Sequence, residues 1–160
     1  MPSHRLGGFL HCIKGNSMPR PFRLEAPEPY ELDIHEACAS ALDKLLLLPA
    51  VWACYPAGAN QLQPYQTARL ARLGLKRGWP DILVAYEKMY GIEVKRYGGQ
   101  LSKTRTVRTR RGGLRVLDGQ QDVFPKLIAS GAFAAIETVR SVDEMLAQLR
   151  RWNIPVRGFM

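Results

Sequence analysis

Cysteine is scarce in this chain of 160 residues: Cys12, Cys38 and Cys54 are odd in number, widely spaced and without the paired Cys or His partners of a zinc site. That pattern argues against a disulfide scaffold or a zinc ribbon and reads as reduced thiols inside a cell. Long apolar runs are missing too. The longest, Leu45 to Cys54, is interrupted by Pro49 and is too short to span a bilayer, and no early stretch reaches signal-peptide length. A soluble cytoplasmic protein with no membrane partner is the expectation. Acidic residues are also few, 14 Asp and Glu against 23 Lys and Arg, for a net charge of +9. Such an excess suggests a polyanionic partner, most simply nucleic acid. What the chain does have is 46% hydrophobic residues, enough for one domain with a real core.

Met1 to Pro29 holds five prolines, scattered basic residues and no sustained periodicity, so residues 1–29 read as an N-terminal basic, proline-rich arm. His4 and His11 in such an arm read as solvated or phosphate-facing rather than metal-bound. From Glu31 to Leu48, Ile34, Ala37, Cys38, Ala41, Leu42 and Leu45 recur at helical spacing, and Pro49 ends the run. Ala50 to Tyr55 predicts a core strand, Pro56 to Gln63 a loop, and Pro64 to Leu73 a short helix stopped by Gly74. Asp118 predicts the N-cap of a helix running to about Ser130, Phe133 to Val139 the last strand, and Ser141 the opening of an amphipathic helix to about Trp152. Residues 154–160 form a tail without recognisable chemistry. The element order suggests an α/β protein with a mixed central sheet flanked by helices.

The chemistry concentrates between Gly78 and Lys95. Ile82 to Tyr86 and Tyr90 to Val94 are apolar, β-branched and aromatic runs separated by a few polar residues, which predicts a hairpin. Side chains alternate faces along a strand, so Glu93 and Lys95 share one side while Ile92 and Val94 share the other. If the hairpin pairs near Asp81 and Glu93, a second carboxylate joins them. Two carboxylates make a hard oxygen site for Mg²⁺ or Mn²⁺, and a lysine beside them can hold or deprotonate a water.

Pro80-Asp81, eleven residues, then Glu93-Val94-Lys95 resembles the metal-binding signature of the PD-(D/E)xK nuclease superfamily. Leu73-Gly74-Leu75-Lys76-Arg77-Gly78-Trp79-Pro80-Asp81 followed by Ile92-Glu93-Val94-Lys95-Arg96 resembles its VRR-NUC branch, whose phage and bacterial members are small stand-alone domains. The likeness spans roughly Glu31 to Ile136 and implies a restriction-endonuclease-like core over residues 30–153. It implies an Mg²⁺- or Mn²⁺-dependent DNA endonuclease of repair or recombination. Asp81 and Glu93 would bind the ion with the Val94 carbonyl, and Lys95 would orient or deprotonate a water. The family also carries a glutamate on the first helix. Glu31, in phase with Ile34 and Cys38, lies on the face turned to the sheet, whereas Glu36 falls on the polar face. A glutamine near the start of the later helix steadies the family's lysine, and here Gln120 and Gln121 both qualify. Small members resemble Holliday-junction resolvases, which implies a homodimer on branched DNA. A flap or nicking endonuclease and a DNA-binding module without cleavage are the alternatives.

Residues 98–117 depart from the compact family pattern. About fifteen residues intervene before the next helix, with Lys103, Arg105, Arg108, Arg110, Arg111 and Arg115 and no acid, and Gly112-Gly113 as a joint. This reads as an insertion that grips phosphates near the metal site, whether as a flap or as a solvated loop that orders on binding. Lys76, Arg77 and Arg96, which flank the acidic hairpin, are further candidates for DNA phosphates. Trp79 reads as a packing residue rather than a base-stacking one.

Overall fold

In the computed structural model, residues 28–55, 63–74, 76–109 and 111–158 are described. They run as α1 (Glu31–Leu45), β1 (Val51–Cys54), α2 (Pro64–Arg72), β2 (Ile82–Tyr86), β3 (Lys88–Val94), β4 (Arg105–Arg108), β5 (Leu114–Leu117), α3 (Gln120–Ala129), β6 (Phe133–Val139) and α4 (Val142–Arg151). Residues 1–27 of the arm, with His4, His11 and Cys12, and Arg110 in the insertion lie outside the described residues.

The main sheet has the order β1-β2-β3-β6. β1–β2 and β2–β3 are antiparallel and β3–β6 is parallel, so the sheet is mixed, as the element order suggests. The parallel return needs a crossover, which α3 supplies. Ile82 pairs with Ile92, placing Ile82, Val84, Ile92 and Val94 on one face, all of them buried. Ile34, Cys38 and Leu42 of α1 and Met145, Leu146 and Leu149 of α4 cover that face. Each such aliphatic side chain stabilises the fold by about 1.5–3 kcal/mol on burial. Burial also pushes the Cys38 thiol up to about 11, so it is an unreactive core group.

Local signals explain most boundaries. The Ser141 Oγ accepts the Glu144 N–H at 3.1 Å and so caps α4, while the Glu144 carboxylate reaches back past the cap to accept the Arg140 N–H at 2.8 Å. At α1 the N-cap is Tyr30, whose N–H donates to Asp33 at 3.2 Å. α1 stops at Leu45, three residues short of the expected end. There the chain turns extended, and Leu46 bridges Val156 while the Leu47 N–H donates to the Pro155 carbonyl at 3.0 Å. The tail read as featureless therefore docks on the end of α1, with Ile154 buried in the core.

Two further differences centre on residues 98–119. The insertion contains an antiparallel ribbon, β4 with β5, that joins no strand of the main sheet. The N-cap of α3 is Gly119 rather than Asp118. A Cβ on Gly119 would lie 2.2 Å from the Lys103 carbonyl carbon and 2.4 Å from the Thr104 nitrogen, so only glycine lets the two roots of the ribbon cross there. Gly91 plays a similar part in β3. Its missing side chain makes room for buried Pro80, whose Cγ would sit 2.6 Å from an added Cβ. Pro80 seated on β3 holds the next residue, Asp81, at the head of β2.

Candidate active site

The register that pairs Ile82 with Ile92 brings Asp81 and Glu93 opposite one another just past the end of the β2–β3 ladder. Asp81 Oδ2 accepts the Val94 N–H at 3.0 Å, which locks the carboxylate against β3. In a strand the N–H and C=O of one residue leave on the same edge, so the Val94 carbonyl is directed to the same side. Glu93 turns to the sheet face opposite Ile92 and Val94 and is fully buried. Its Oε1 accepts from Lys95 Nζ at 2.5 Å and from Gln120 Nε2. Its Oε2 has no hydrogen-bond partner among the described residues.

Lys95 gathers the remaining oxygens. Its ammonium donates to Glu31 Oε1 at 3.1 Å and to the Val94 carbonyl at 3.1 Å, besides Glu93. Thus one cation faces three oxygens from α1 and β3. Glu31 is half exposed at the first turn of α1, not buried as its phase with Ile34 suggests, yet its carboxylate reaches the site. Glu36 is exposed on the polar face.

The electrostatics follow from crowding acids in a dry place. Burial, and then the Asp81 charge, push the Glu93 carboxyl up to about 7, although Lys95 and Gln120 pull the other way. Burial likewise raises Asp81, against the Val94 N–H, Lys95 and His35. Burial works against the Lys95 ammonium, but Glu93, Asp81 and Glu31 outweigh it and hold its pKa above the ordinary lysine value. An acid pair short of positive charge, with one buried oxygen unpartnered, has the chemistry of a cation site. Among the described residues no three His, Cys, Asp or Glu side chains gather into a ligand cluster. A divalent ion here would rest on Asp81, Glu93 and the Val94 carbonyl and keep water or phosphate oxygens in its other positions, as Mg²⁺ commonly does.

The two glutamines part company. Gln120 holds Glu93 with its amide nitrogen, while its Oε1 accepts the Ser102 N–H at 3.1 Å and the Ser102 hydroxyl at 3.2 Å. Gln121 instead donates to the Leu101 carbonyl at 3.2 Å and does not reach the acids. Ser102 also accepts the Gln120 N–H at 3.1 Å, so it caps the helix that Asp118 was expected to cap. The link Ser102–Gln120–Glu93 ties the root of the ribbon to the buried carboxylate.

Of the basic candidates, Arg77, Lys103 and Arg105 line one cavity of about 370 Å³ with Ser102 and Leu117. Arg96, Arg108, Arg111 and Arg115 are exposed. The Lys76 backbone is held by the Tyr55 hydroxyl, which accepts its N–H at 2.7 Å and donates to its C=O at 3.1 Å. Trp79 packs between Tyr55 and Phe133, with ring centroids 5.5 and 5.8 Å away. Sequence reasoning did not single out Ser102, Gly119 or the pair His35–Cys54, whose Nε2 and Sγ lie 3.3 Å apart beside Asp81. The position of His35, four residues after Glu31, was the available signal.

No helix among the described residues is long and apolar enough to cross a membrane. Comparison of the chain with protein-family models, curated proteins and solved structures finds no match in any of the three.

Proposed function

We propose that this chain is a metal-dependent endodeoxyribonuclease on a restriction-endonuclease-like core of the VRR-NUC type. The observation that carries the reading is the convergence of Asp81, Glu93 and Lys95 at one end of the β2–β3 pair, with the Glu93 Oε2 buried and unpartnered. A structural ion pair has no use for a second, half-buried carboxylate beside the first, which raises the cost of ionising both. A divalent-cation site does.

Asp81, Glu93 and the Val94 carbonyl would hold Mg²⁺ or Mn²⁺. When bound, such an ion lowers the pKa of a water and offsets charge on phosphoryl oxygens. The residues of the chain do the rest. The Val94 N–H fixes Asp81, and Gln120 fixes Glu93. Lys95, kept protonated by its acidic neighbours, serves as a donor that orients the attacking water or the scissile phosphate. Glu31 competes for that ammonium at the mouth of the site and sets its direction. Lys76, Arg77, Arg96 and cations of the insertion such as Lys103, Arg105, Arg111 and Arg115 supply the sequence-independent hold on phosphates. A Holliday-junction resolvase would act as a two-fold dimer, since each chain offers one site and two strands must be cut.

The test is cleavage of four-way junction, flap, duplex and single-stranded DNA with Mg²⁺, Mn²⁺ or EDTA. Cutting should require the ion, and Asp81→Ala should abolish it. Lys95→Ala should leave an inactive protein that still binds DNA. Unchanged cutting in EDTA removes the mechanism, and binding without cutting of any substrate leaves a DNA-binding module.

A further inference from the structure

The ribbon of β4 and β5 has two unlike faces. Its register pairs Arg105 with Leu117, Thr106 with Val116, Val107 with Arg115 and Arg108 with Leu114. Alternation then puts Arg105, Val107, Arg115 and Leu117 on one face and Thr106, Arg108, Leu114 and Val116 on the other. The first face looks inward at its root, because Arg105 and Leu117 line the cavity shared with Arg77. The second is exposed along its whole length, with Leu114 75% and Val116 58% accessible.

A two-stranded ribbon alone is marginal in water, and exposed Leu and Val on its outer face gain nothing there. A second copy of the ribbon is a poor cover. From Arg96 to Leu117 the chain has no acid, so two ribbons would bring like charge together. Duplex DNA suits both features. Its major groove, about 12 Å wide and about 8.5 Å deep, admits a two-stranded ribbon. The two strands lie about 4.8 Å apart, and four residues extend about 13 Å, enough to reach the groove floor. On that floor Thr106, Leu114 and Val116 offer apolar contact to thymine methyls, and Arg108 offers paired donors to guanine O6 and N7. Arg105, Arg111 and Arg115 are left for the phosphate walls.

The mount is rigid. The Gly119 N–H donates to Thr104 Oγ1 at 2.8 Å, the Gln121 N–H donates to the Ser102 carbonyl at 3.1 Å, and the tip is closed by the Thr109 N–H donating to the Gly113 carbonyl at 2.7 Å. We infer that the ribbon seats in the major groove of duplex DNA, with Thr106, Arg108, Leu114 and Val116 against the base edges, so that the substrate is double-stranded beside the cleavage site. This rests on the DNA reading above and names the form of the substrate.

The experiment uses the full chain in EDTA, where no cleavage is expected, on a duplex of about thirty base pairs. Dimethyl sulfate should find guanine N7, in the major groove, protected and adenine N3, in the minor groove, still reactive. Replacing guanine by 7-deazaguanine, or thymine by uracil, should weaken binding about three- to tenfold. Arg108→Gln with Leu114→Ser and Val116→Ser should bind unmodified duplex as weakly and lose the N7 protection, with the far-ultraviolet dichroism unchanged. Free guanine N7, equal affinity for the modified duplexes, or tighter binding to single strands or to anionic lipid vesicles overturns the inference. Because the modified DNA is read with the unaltered chain, a misfolded variant does not blunt the test. Groove protection without Mg²⁺-dependent cutting would fault only the nuclease reading, whereas cutting without groove protection would fault only the ribbon.

Discussion

Glu93→Gln keeps the shape of a protonated glutamic acid and removes its charge, which isolates the cost of ionising a fully buried group. In the folded chain burial and Asp81 push this carboxyl from the ordinary 4.5 to about 7. The folded state therefore holds a proton that the unfolded chain has already released. Its stabilising effect is complete below about 4.5, declines as pH rises, and is gone above about 7. At about 1.4 kcal/mol per pH unit, the window corresponds to about 3 kcal/mol. Lys95 titrates above this window, and Asp81 and Glu93 act on one another, so the difference between wild type and variant reports the acid pair through the loss of the Glu93 charge. Urea unfolding in EDTA across pH 4.5 to 8 should show the wild type losing stability more steeply than Glu93→Gln. Near pH 8 the variant should be more stable by about 2–3 kcal/mol. Added Mg²⁺ should then stabilise the wild type and leave the variant unchanged, and the variant should not cut DNA. Parallel pH profiles, or a variant less stable than wild type near pH 8, would refute the picture of an acid ionised at a cost so that a cation can be held.

Gln120→Ala should weaken activation by Mg²⁺ about tenfold, with the KM for DNA unchanged, because the Gln120 amide is engaged by Glu93 on one side and Ser102 on the other. Gln121→Ala should alter neither by more than about twofold, since its amide ends on the Leu101 carbonyl. Metal titrations of activity at saturating DNA distinguish the two. Gly119→Ala should destabilise the chain by about 1–3 kcal/mol or more, as its Cβ would meet backbone 2.2–2.5 Å away. Gly113→Ala, with nothing among the described residues nearer than 3.4 Å, should stay within about 0.5 kcal/mol, and chemical denaturation measures both.

The sequence by itself determined what depends on neighbours along the chain. Helical spacing of Ile34, Cys38 and Leu42 and of Met145 and Leu149 located the core faces of α1 and α4, and β-branched runs located β2, β3 and β6. Two-residue alternation set Glu93 and Lys95 on one side, and the eleven residues between Asp81 and Glu93 fit a short hairpin that brings both acids to one end. What the sequence left open was settled by groups distant along the chain. Ser102 and Thr104, more than a dozen residues upstream, decide that α3 starts at Gln120 with Gly119 as its cap, and so which glutamine reaches Glu93. Val156 and Pro155 decide that α1 ends at Leu45. In the insertion the charge hid a weaker pattern, Arg-Thr-Val-Arg against Leu-Arg-Val-Leu, whose pairing appears only when Thr109 and Gly113 close the turn. Local propensity fixes which residues can form an element, but the last hydrogen bonds at its ends come from partners that only the folded chain brings near.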